Sequence, residues 1–234
     1  MAARPRRSRS SESVDNYLKA ILSLSGPEMH RVSSKALADR LEVATASVTN
    51  MLQKLAAAPA SLVEYERHRG VLLSAAGKQR ALEIVRHHRL IETFLYEVLD
   101  YPLEEVHDEA ERLEHFISER FEERIAAKLG HPKIDPHGHS IPSLSGEMLE
   151  KDSMLLTDVA AKGDFVIESV SDRDARVLRF LETHGVAPGV RLRVKSQSTK
   201  AGYTVSVGRS AKVFEISRVR AGEVRVLREA VAGD

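Results

Sequence analysis

The first 75 residues carry apolar positions at helical spacing, interrupted by turn-forming residues. In "SVDNYLKAILSLS" the apolar residues recur on one helical face, and Gly26 and Pro27 end the pattern. The stretch "RVSSKALADRLEVATASVTNMLQKLAAAPA" predicts two short helices, the first capped by Ser33 or Ser34 and the second by Thr45. Only the few residues of "EVAT" separate the two helices. Two short helices joined so tightly predict a helix-turn-helix.

A β-hairpin is predicted directly after these helices. The runs "LVEYE" and "VLLS" have strand-like composition, and the basic tetrapeptide "RHRG" separates them. A hairpin appended to a helix-turn-helix is a wing, so we expect a winged helix-turn-helix domain over residues 1–74.

Two long helices are predicted next. Ser74 is a plausible cap for a helix that runs through "AGKQRALEIVRHHRLIETFLYEVL" to Asp100. A second helix is expected from about Leu103 to Leu129, before Gly130 and Pro132. Their inner faces are too apolar to stand alone, so we expect the two helices to pair with each other and with a second copy of the chain. A homodimer is therefore predicted.

The last third of the chain predicts a small β domain. The stretch "GHPKIDPHGHSIPSLSG" is rich in Gly, Pro, His and Ser and is interpreted as a linker. Five alternating runs follow, with one predicted helix between the first two: "FVIESVS", "RLRVKSQ", "YTVSVG", "KVFEIS" and "VRVL". The predicted fold class is mainly α with small β parts: the winged domain, a helical domain over 75–140, a linker over 141–154 and an SH3-like β-barrel over 155–234.

Composition narrows the kind of protein. Cysteine is absent, which excludes disulfides and thiolate metal sites and fits a reducing compartment. No stretch approaches the roughly 20 apolar residues needed to cross a bilayer. We expect a soluble, cytoplasmic protein with no membrane partner. Charge is segregated, because Arg4, Arg6, Arg7 and Arg9 open the chain without an acid, while residues 97–123 carry eleven acids and two bases.

The second short helix carries side chains suited to double-stranded DNA. Hydroxyls and lysine reach phosphates, and Asn or Gln can pair with adenine edges. Any exposed helix face is polar, and helix-turn-helix geometry also occurs in proteins that bind no DNA. The basic wing tip and the basic N-terminal arm favour DNA. The candidate DNA-binding residues are Thr45, Ser47, Thr49, Asn50, Gln53, Lys54, Arg67 and Arg69.

The long helices carry a candidate metal site. In "VHDEAERLEHFIS" the residues His107, Glu111, Glu114 and His115 fall at relative positions 0, 4, 7 and 8, which places them on one helical face. On the preceding helix, His88 and Glu92 are four residues apart. The alternative is an acidic solvated face with incidental histidines, but like charges on one face repel unless a cation intervenes. Oxygen and imidazole donors without sulfur favour Mn²⁺ or Fe²⁺ over structural zinc.

The order of these motifs resembles the diphtheria-toxin-repressor family of metal-dependent transcriptional regulators. The resemblance covers nearly the whole chain and is carried by the winged helix-turn-helix, "HHRLIE", "VHDEAERLEHFIS", "DPHGHSIP" and the terminal barrel. It implies a homodimeric repressor that binds an operator with Mn²⁺, or alternatively Fe²⁺, as co-repressor. It further implies control of metal-homeostasis genes such as metal transporters.

The same resemblance assigns site residues. It implies a primary site of Glu111, Glu114 and His115, and an ancillary site of His88, Glu92 and His107. Glu111 stands where iron-type members have Cys, which resembles the manganese-responsive branch. Asn16 falls where the family has a Met or Asp ligand, and Lys19 falls where some manganese-type members have an acid, which argues against a closely spaced binuclear site. Further ancillary ligands from the barrel are Asp172 and Asp174.

Two other functions remain open at this point. The first is a metal-independent DNA-binding adaptor whose acidic stripe is structural. The second is a metalloenzyme, which the motifs disfavour: H-x-x-E-H is missed because position 111 is Glu, and Glu-x-x-His occurs once, at Glu104 and His107. We therefore expect no enzymatic activity. His137 and His139 are interpreted as polar residues of the linker.

Overall fold

The computed structural model of the chain describes residues 9–26, 28–58, 60–198, 202–208 and 212–229. The basic N-terminal residues Arg4, Arg6 and Arg7, and Pro27, lie outside the described residues. The helices are α1 Arg9–Ser25, α2 Ser34–Leu41, α3 Thr45–Ala56, α4 Ala75–Leu99, α5 Leu103–Leu113, α6 Glu119–Lys128, α7 Ala175–Thr183 and α8 Arg218–Ala221. The strands are β1 Val63–Glu66, β2 Gly70–Leu73, β3 Met154–Leu155, β4 Gly163–Val170, β5 Arg191–Ser198, β6 Gly202–Val207, β7 Val213–Ile216 and β8 Val224–Arg228.

The chain forms two compact units. The first comprises Met1–His88, Glu111–Glu123 and Pro142–Glu147, and the second comprises Arg89–Ala110, Arg124–Ile141 and Met148–Asp234. Among the described helices, none has the length and apolar character required to cross a membrane.

The first unit contains the predicted winged helix-turn-helix. Apolar side chains of α1, α2 and α3 and of the β1–β2 hairpin form one core, in which Leu18, Leu37 and Leu52 have no exposed surface. Strands β1 and β2 pair antiparallel from Val63 opposite Leu73 to Glu66 opposite Gly70. Burying one apolar stripe per helix leaves the opposite face of α3 exposed.

The helix caps agree with the sequence prediction in one case and differ in another. Ser33 caps α2 and accepts a hydrogen bond from the backbone N–H of Ala36. The prediction that Thr45 caps α3 is wrong, since Ala44 holds the cap position without a side-chain hydrogen bond and Thr45 is the first helical residue. Thr45 therefore belongs to the first turn of α3 and does not cap it.

The prediction of one continuous helix from Leu103 to Leu129 is also wrong. Helix α5 ends at Leu113, and Ser118 starts α6 by accepting a hydrogen bond from the N–H of Phe121 to its hydroxyl at 3.2 Å. A serine side chain offers the backbone this local alternative to helix continuation. Glu114 and His115 consequently lie in the turn between α5 and α6 rather than on a helix face.

The second unit has a helical core and a sheet core. Leu90, Ile125, Ala126 and Ile141 are buried together in the helical part. The sheet is antiparallel with strand order β3-β8-β4-β5-β6-β7, and it contains the five strands that the sequence predicts together with the two-residue β3. Helix α7 lies between β4 and β5, as predicted, and its buried Leu178 and Leu181 join the sheet core.

The segment around residues 134–140, predicted as linker, is an ordered loop docked on β4. The Asp135 carboxylate accepts hydrogen bonds from the N–H groups of His137 and His139, both at 2.9 Å. The carbonyl of His137 accepts from the N–H of Val170 at 2.9 Å. Gly138 has a φ of +95°, and a Cβ there would lie 2.2 Å from the carbonyl oxygen of Glu168. Only glycine permits this close approach of loop and strand.

Replacing Gly138 by alanine should undock this loop. We expect the free energy of unfolding to fall by about 2–4 kcal/mol, because strain at a positive φ adds to a backbone clash. Gly130→Ala is the matched control, since Gly130 also has a positive φ but a Cβ there meets nothing within 4 Å. Urea unfolding of both variants checks this, and equal losses would contradict the close approach.

Candidate metal centres and nucleic-acid interface

The first candidate centre, which we call the lysine cluster, consists of Lys19, His88, Glu111, Glu114 and His115. Lys19 projects from α1, and its ammonium donates to Glu111 Oε1 at 2.8 Å and to both oxygens of Glu114 at 2.7 Å. Glu114 is fully buried, and Lys19 is largely buried. A buried carboxylate requires such compensation, because desolvation otherwise penalises its charge.

Two histidines complete the lysine cluster. His88 Nδ1 lies 2.7 Å from Glu114 Oε2, so His88 shares this carboxylate with Lys19. His115 is buried, with Nε2 3.2 Å from Glu114 Oε1 and Nδ1 3.6 Å from Asp15 Oδ2. One ligand atom each from His88, Glu111 and Glu114 lies within 4.8 Å of the others, a spacing that suits one metal ion.

Buried donor atoms in this region fit a metal ion. Both ring nitrogens of His115 are buried without a hydrogen-bond partner in the described part of the chain. The same holds for Oδ1 of Asn16, which lies one turn before Lys19 on α1. Buried polar atoms normally have partners, so these atoms are available to coordinate an ion. Imidazole nitrogen and amide oxygen are both metal donors.

Ion pairs from α4 hold the surrounding backbone. Arg80 donates from Nε to the fully buried Asp15 at 2.6 Å, which ties α4 to α1. Farther along α4, Arg86 and His87 both contact the buried Glu122 of α6, and Nε2 of His87 lies 2.9 Å from Glu122 Oε2. Burial raises the pKa of the Glu122 carboxyl, but His87 and Arg86 lower it by more, so its pKa lies below the ordinary value of 4.5.

The second candidate centre, which we call the histidine cluster, lies in the second unit. Its members come from α4, α5, the docked loop and the segment after β4: Glu92, His107, Asp135, His137, His139 and Asp172. His107 Nδ1 lies 3.3 Å from Glu92 Oε1 and 3.6 Å from Asp172 Oδ2. His139 Nδ1 lies 3.4 Å from Asp135 Oδ2 and 4.0 Å from Asp172 Oδ2.

His137 is the most buried imidazole of the histidine cluster. Its side chain has no exposed surface, and neither ring nitrogen has a hydrogen-bond partner among the residues described. Burial lowers the pKa of His137, but the carboxylates of Glu92, Asp135 and Asp172 raise it by more, so its net pKa is raised. A buried imidazole without hydrogen bonds, facing carboxylates, has the donor chemistry of a metal site.

The structure changes two assignments made from the sequence and extends a third. His88, which the resemblance implies as an ancillary ligand, also contacts Glu114 Oε2 of the lysine cluster at 2.7 Å. Asp174 does not join either cluster, because its carboxylate caps α7 by accepting from the N–H groups of Arg176 and Val177. His137 and His139 were interpreted as linker residues, yet they lie with Asp135 in a group whose ligand atoms are within 4.8 Å. The alternating pattern "DPHGH" was the available signal, since it places three metal donors two residues apart.

The candidate nucleic-acid interface is the exposed face of α3 with the wing tip. Val48, Leu52 and Leu55 are buried, which turns the predicted polar residues outward. Thr49 is half-buried, and its hydroxyl donates to the carbonyl of Thr45 at 3.1 Å. The other candidates on α3 are exposed: Thr45, Ser47, Asn50, Gln53 and Lys54.

The wing tip is basic and locally braced. Arg67 and Arg69 are exposed, and His68 between them has a φ of +66°. Arg31 and Arg69 both contact the carboxylate of Glu66, at 2.6 and 2.7 Å. Exposed ion pairs are weak, so Arg69 can exchange this contact for a phosphate at little cost.

Comparisons with known proteins agree with this geometry. Residues 10–71 match the iron dependent repressor N-terminal DNA binding domain, residues 74–143 match the iron dependent repressor metal binding and dimerisation domain, and residues 154–228 match the FeoA domain. The transcriptional regulator MntR of Oceanobacillus iheyensis is 34% identical over 124 residues, covering 53% of this chain and 81% of MntR. This chain belongs to the iron-dependent repressor family.

Other relatives of the iron-dependent repressor family match over greater lengths of the chain. The iron-dependent repressor IdeR of Mycobacterium leprae is 28% identical over 198 residues, covering 79% of this chain and 84% of IdeR. A solved manganese-dependent transcriptional repressor in complex with manganese superposes with a TM-score of 0.82 at 34% identity, covering 92% of this chain and 99% of that chain. These matches confirm the predicted family, its metal-dependent DNA-binding repressor function and the predicted fold class with a terminal SH3-like domain.

The depressed pKa of Glu122 predicts acid sensitivity of the metal-free protein. A carboxylate of this kind contributes stability that is present above pH 4.5 and is lost as the pH falls through its folded-state pKa. Glu122→Gln should lower the free energy of unfolding by roughly 1.5–3 kcal/mol near neutral pH and should flatten its loss in acid. Urea unfolding across pH measures both effects. Glu123→Gln, at an exposed position of α6, is the control and should change neither.

Proposed function

We propose that this chain is a homodimeric, Mn²⁺-responsive repressor of double-stranded operator DNA, with Fe²⁺ as the alternative metal. The observation that carries the proposal is the lysine cluster, where His115 presents buried ring nitrogens without hydrogen bonds beside Glu114. Asn16, one turn before Lys19 on α1, adds a buried side-chain oxygen without a hydrogen bond. The proposed ligands are Asn16, His88, Glu111, Glu114 and His115. A bound divalent cation would supply positive charge that neutralises the carboxylates and links α1 to the turn after α5.

The donor set supports Mn²⁺ over later metals. It consists of carboxylate and amide oxygens with imidazole nitrogens, and the chain has no cysteine. Oxygen-rich sets of this kind suit Mn²⁺, although intrinsic affinity rises toward zinc and copper. A structural neighbour described as a complex with manganese supports the same choice, whereas the name of IdeR supports iron.

The histidine cluster is proposed as a second metal site. Glu92, His107 and Asp172 offer ligand atoms within 4.8 Å of one another, and His137 and His139 add imidazoles from the docked loop. Its donors come from helices, loop and the segment after β4. A cation there would therefore hold the docked loop and the SH3-like domain against α4 and α5 within the second unit.

Exposed apolar side chains support a homodimer. Leu113, Phe116 and Phe121 are 38, 67 and 51% exposed at the end of α5, in the following turn and in α6. Large apolar groups of this kind cluster on interaction surfaces. The region lies within residues that match the metal binding and dimerisation domain.

A dimer provides two copies of α3 for DNA. We propose that each α3 enters a major groove, with the wing on the adjacent backbone. Two such helices read half-sites about one helical turn, ~34 Å, apart. A cation that fixes α1 relative to the turn after α5 would favour one distance between the two α3 helices. DNA affinity then depends on metal, because the bound cation selects the distance between the α3 helices that matches the half-sites.

The first test of this function is metal-dependent DNA binding. The probe is a duplex selected from a random pool by the wild-type protein with Mn²⁺. We expect Mn²⁺ to tighten binding by about 10- to 100-fold relative to chelator, a typical coupling between two sites. The double substitution Glu111→Ala with His115→Ala should abolish this gain, measured by fluorescence anisotropy.

The matched control is Glu105→Ala with Glu123→Ala, which removes two carboxylates from exposed positions of α5 and α6. It should retain the full Mn²⁺ effect, and sedimentation velocity should show dimers for all three proteins. Equal DNA affinity of the wild type with Mn²⁺ and with chelator would favour a metal-independent DNA-binding adaptor instead.

The second test separates base reading from phosphate contact. Asn50→Ala should weaken binding by about 1–3 kcal/mol and relax sequence preference at one position, because an amide can pair with an adenine edge. Lys54→Ala should instead weaken all sequences equally and reduce the slope of log affinity against log salt by about 1. Competition with single-base variants of the duplex at several salt concentrations distinguishes the two. The opposite assignment of effects would contradict this docking of α3.

A further inference from the structure

The ammonium of Lys19 occupies the carboxylate oxygens that the proposed metal site requires. It contacts three oxygens at 2.7–2.8 Å, one from Glu111 and both from Glu114. His88 takes a further contact to Glu114 Oε2 at 2.7 Å. Both oxygens of Glu114 are therefore engaged by the protein's own cation.

This contact is built into the fold rather than made by a mobile surface side chain. Lys19 is 18% exposed, and it sits on α1 in the same turn as the buried Tyr17, Leu18 and Ala20. The side-chain entropy of Lys19 is thus already largely lost on folding. Solvent only weakly screens the ion pair between Lys19 and the buried Glu114.

We propose that Lys19 is an internal cation that competes with the divalent metal for Glu111 and Glu114 and thereby sets the metal concentration at which the repressor responds. This inference rests on the proposed function. In the metal-free protein Lys19 binds both carboxylates and connects α1 to the α5–α6 turn. Metal binding at these oxygens requires the ammonium to leave Glu114.

The competition between Lys19 and the metal predicts the direction in which metal affinity changes when the ammonium is removed. If only the minor fraction of molecules with a displaced Lys19 can take up metal, the apparent dissociation constant is the intrinsic one divided by that fraction. Removing the ammonium should therefore tighten metal binding while destabilising the metal-free protein. A lysine that merely supports the fold would give the second effect without the first.

The test uses Lys19→Met, which keeps the unbranched chain as far as Cε and removes the charged ammonium. Titration calorimetry with Mn²⁺ should give a dissociation constant about tenfold lower than that of the wild type. The melting temperature of the metal-free variant should fall, and its rise on adding Mn²⁺ should exceed that of the wild type. Lys19→Arg, which retains a cation, should keep the weaker wild-type affinity.

Lys78→Met is the matched control, since Lys78 is an exposed lysine of α4 in the same unit. It removes one positive charge and should leave Mn²⁺ affinity unchanged. A tenfold gain in this control as well would attribute the effect to net charge and overturn the specific role of Lys19.

A second measurement uses the wild-type protein and so does not depend on the variant folding. Reductive methylation with formaldehyde and cyanoborohydride, read by mass spectrometry, reports the accessibility of each lysine amine. Mn²⁺ should increase methylation of Lys19 and leave Lys78 unchanged. Protection of Lys19 that persists at saturating Mn²⁺ would overturn the proposal.

The Mn²⁺ titrations distinguish failure of the Lys19 competition from failure of the proposed function. If wild type and Lys19→Met bind Mn²⁺ with the same affinity, the competition is wrong and the proposed function stands. If neither protein binds Mn²⁺, the proposed function itself fails.

Discussion

The neutralisation of Glu114 is the constraint on which the first unit depends. A fully buried carboxylate is stable only with cations or hydrogen-bond donors on its oxygens, and here Lys19 of α1 and His88 of α4 provide them. These contacts bring α1, α4 and the turn after α5 to a single carboxylate. The connection between α1 and the proposed metal ligands is thus already present in the metal-free chain.

Local patterns were sufficient to predict most of the fold. Apolar spacing located α1 to α4 and the hairpin, and alternating runs located the strands of the SH3-like domain, because each element buries one face. The break between α5 and α6 was missed, since the helical spacing continues through it and only Ser118 supplies the competing cap. The cap of α3 was assigned to Thr45 on composition, although Ala44 holds that position.

The candidate centres were predicted only in part. Glu111, Glu114 and His115 stand in one short motif, and the spacing groups them together with His107. The structure places His107 in the histidine cluster instead, as the family resemblance implies. His137 and His139 join the second centre through Gly138, whose close approach to β4 brings the loop against Asp172. Such a long-range contact leaves no periodic signal, and a Pro- and Gly-rich stretch is more often a linker. The position of Lys19 among the carboxylates is likewise a tertiary contact, over 92 residues of sequence to Glu111.

The turn between α5 and α6 bears on which ions the first centre accommodates. Glu114 and His115 lie outside the regular helices, so small rotations about their backbone dihedrals do not break a helical hydrogen-bond ladder. Their donor atoms can therefore adjust to the radius of the ion at lower cost than side chains fixed along a helix. In the proposed site, discrimination by ionic radius would then depend mainly on the donors carried by α1, α4 and α5, which are Asn16, His88 and Glu111.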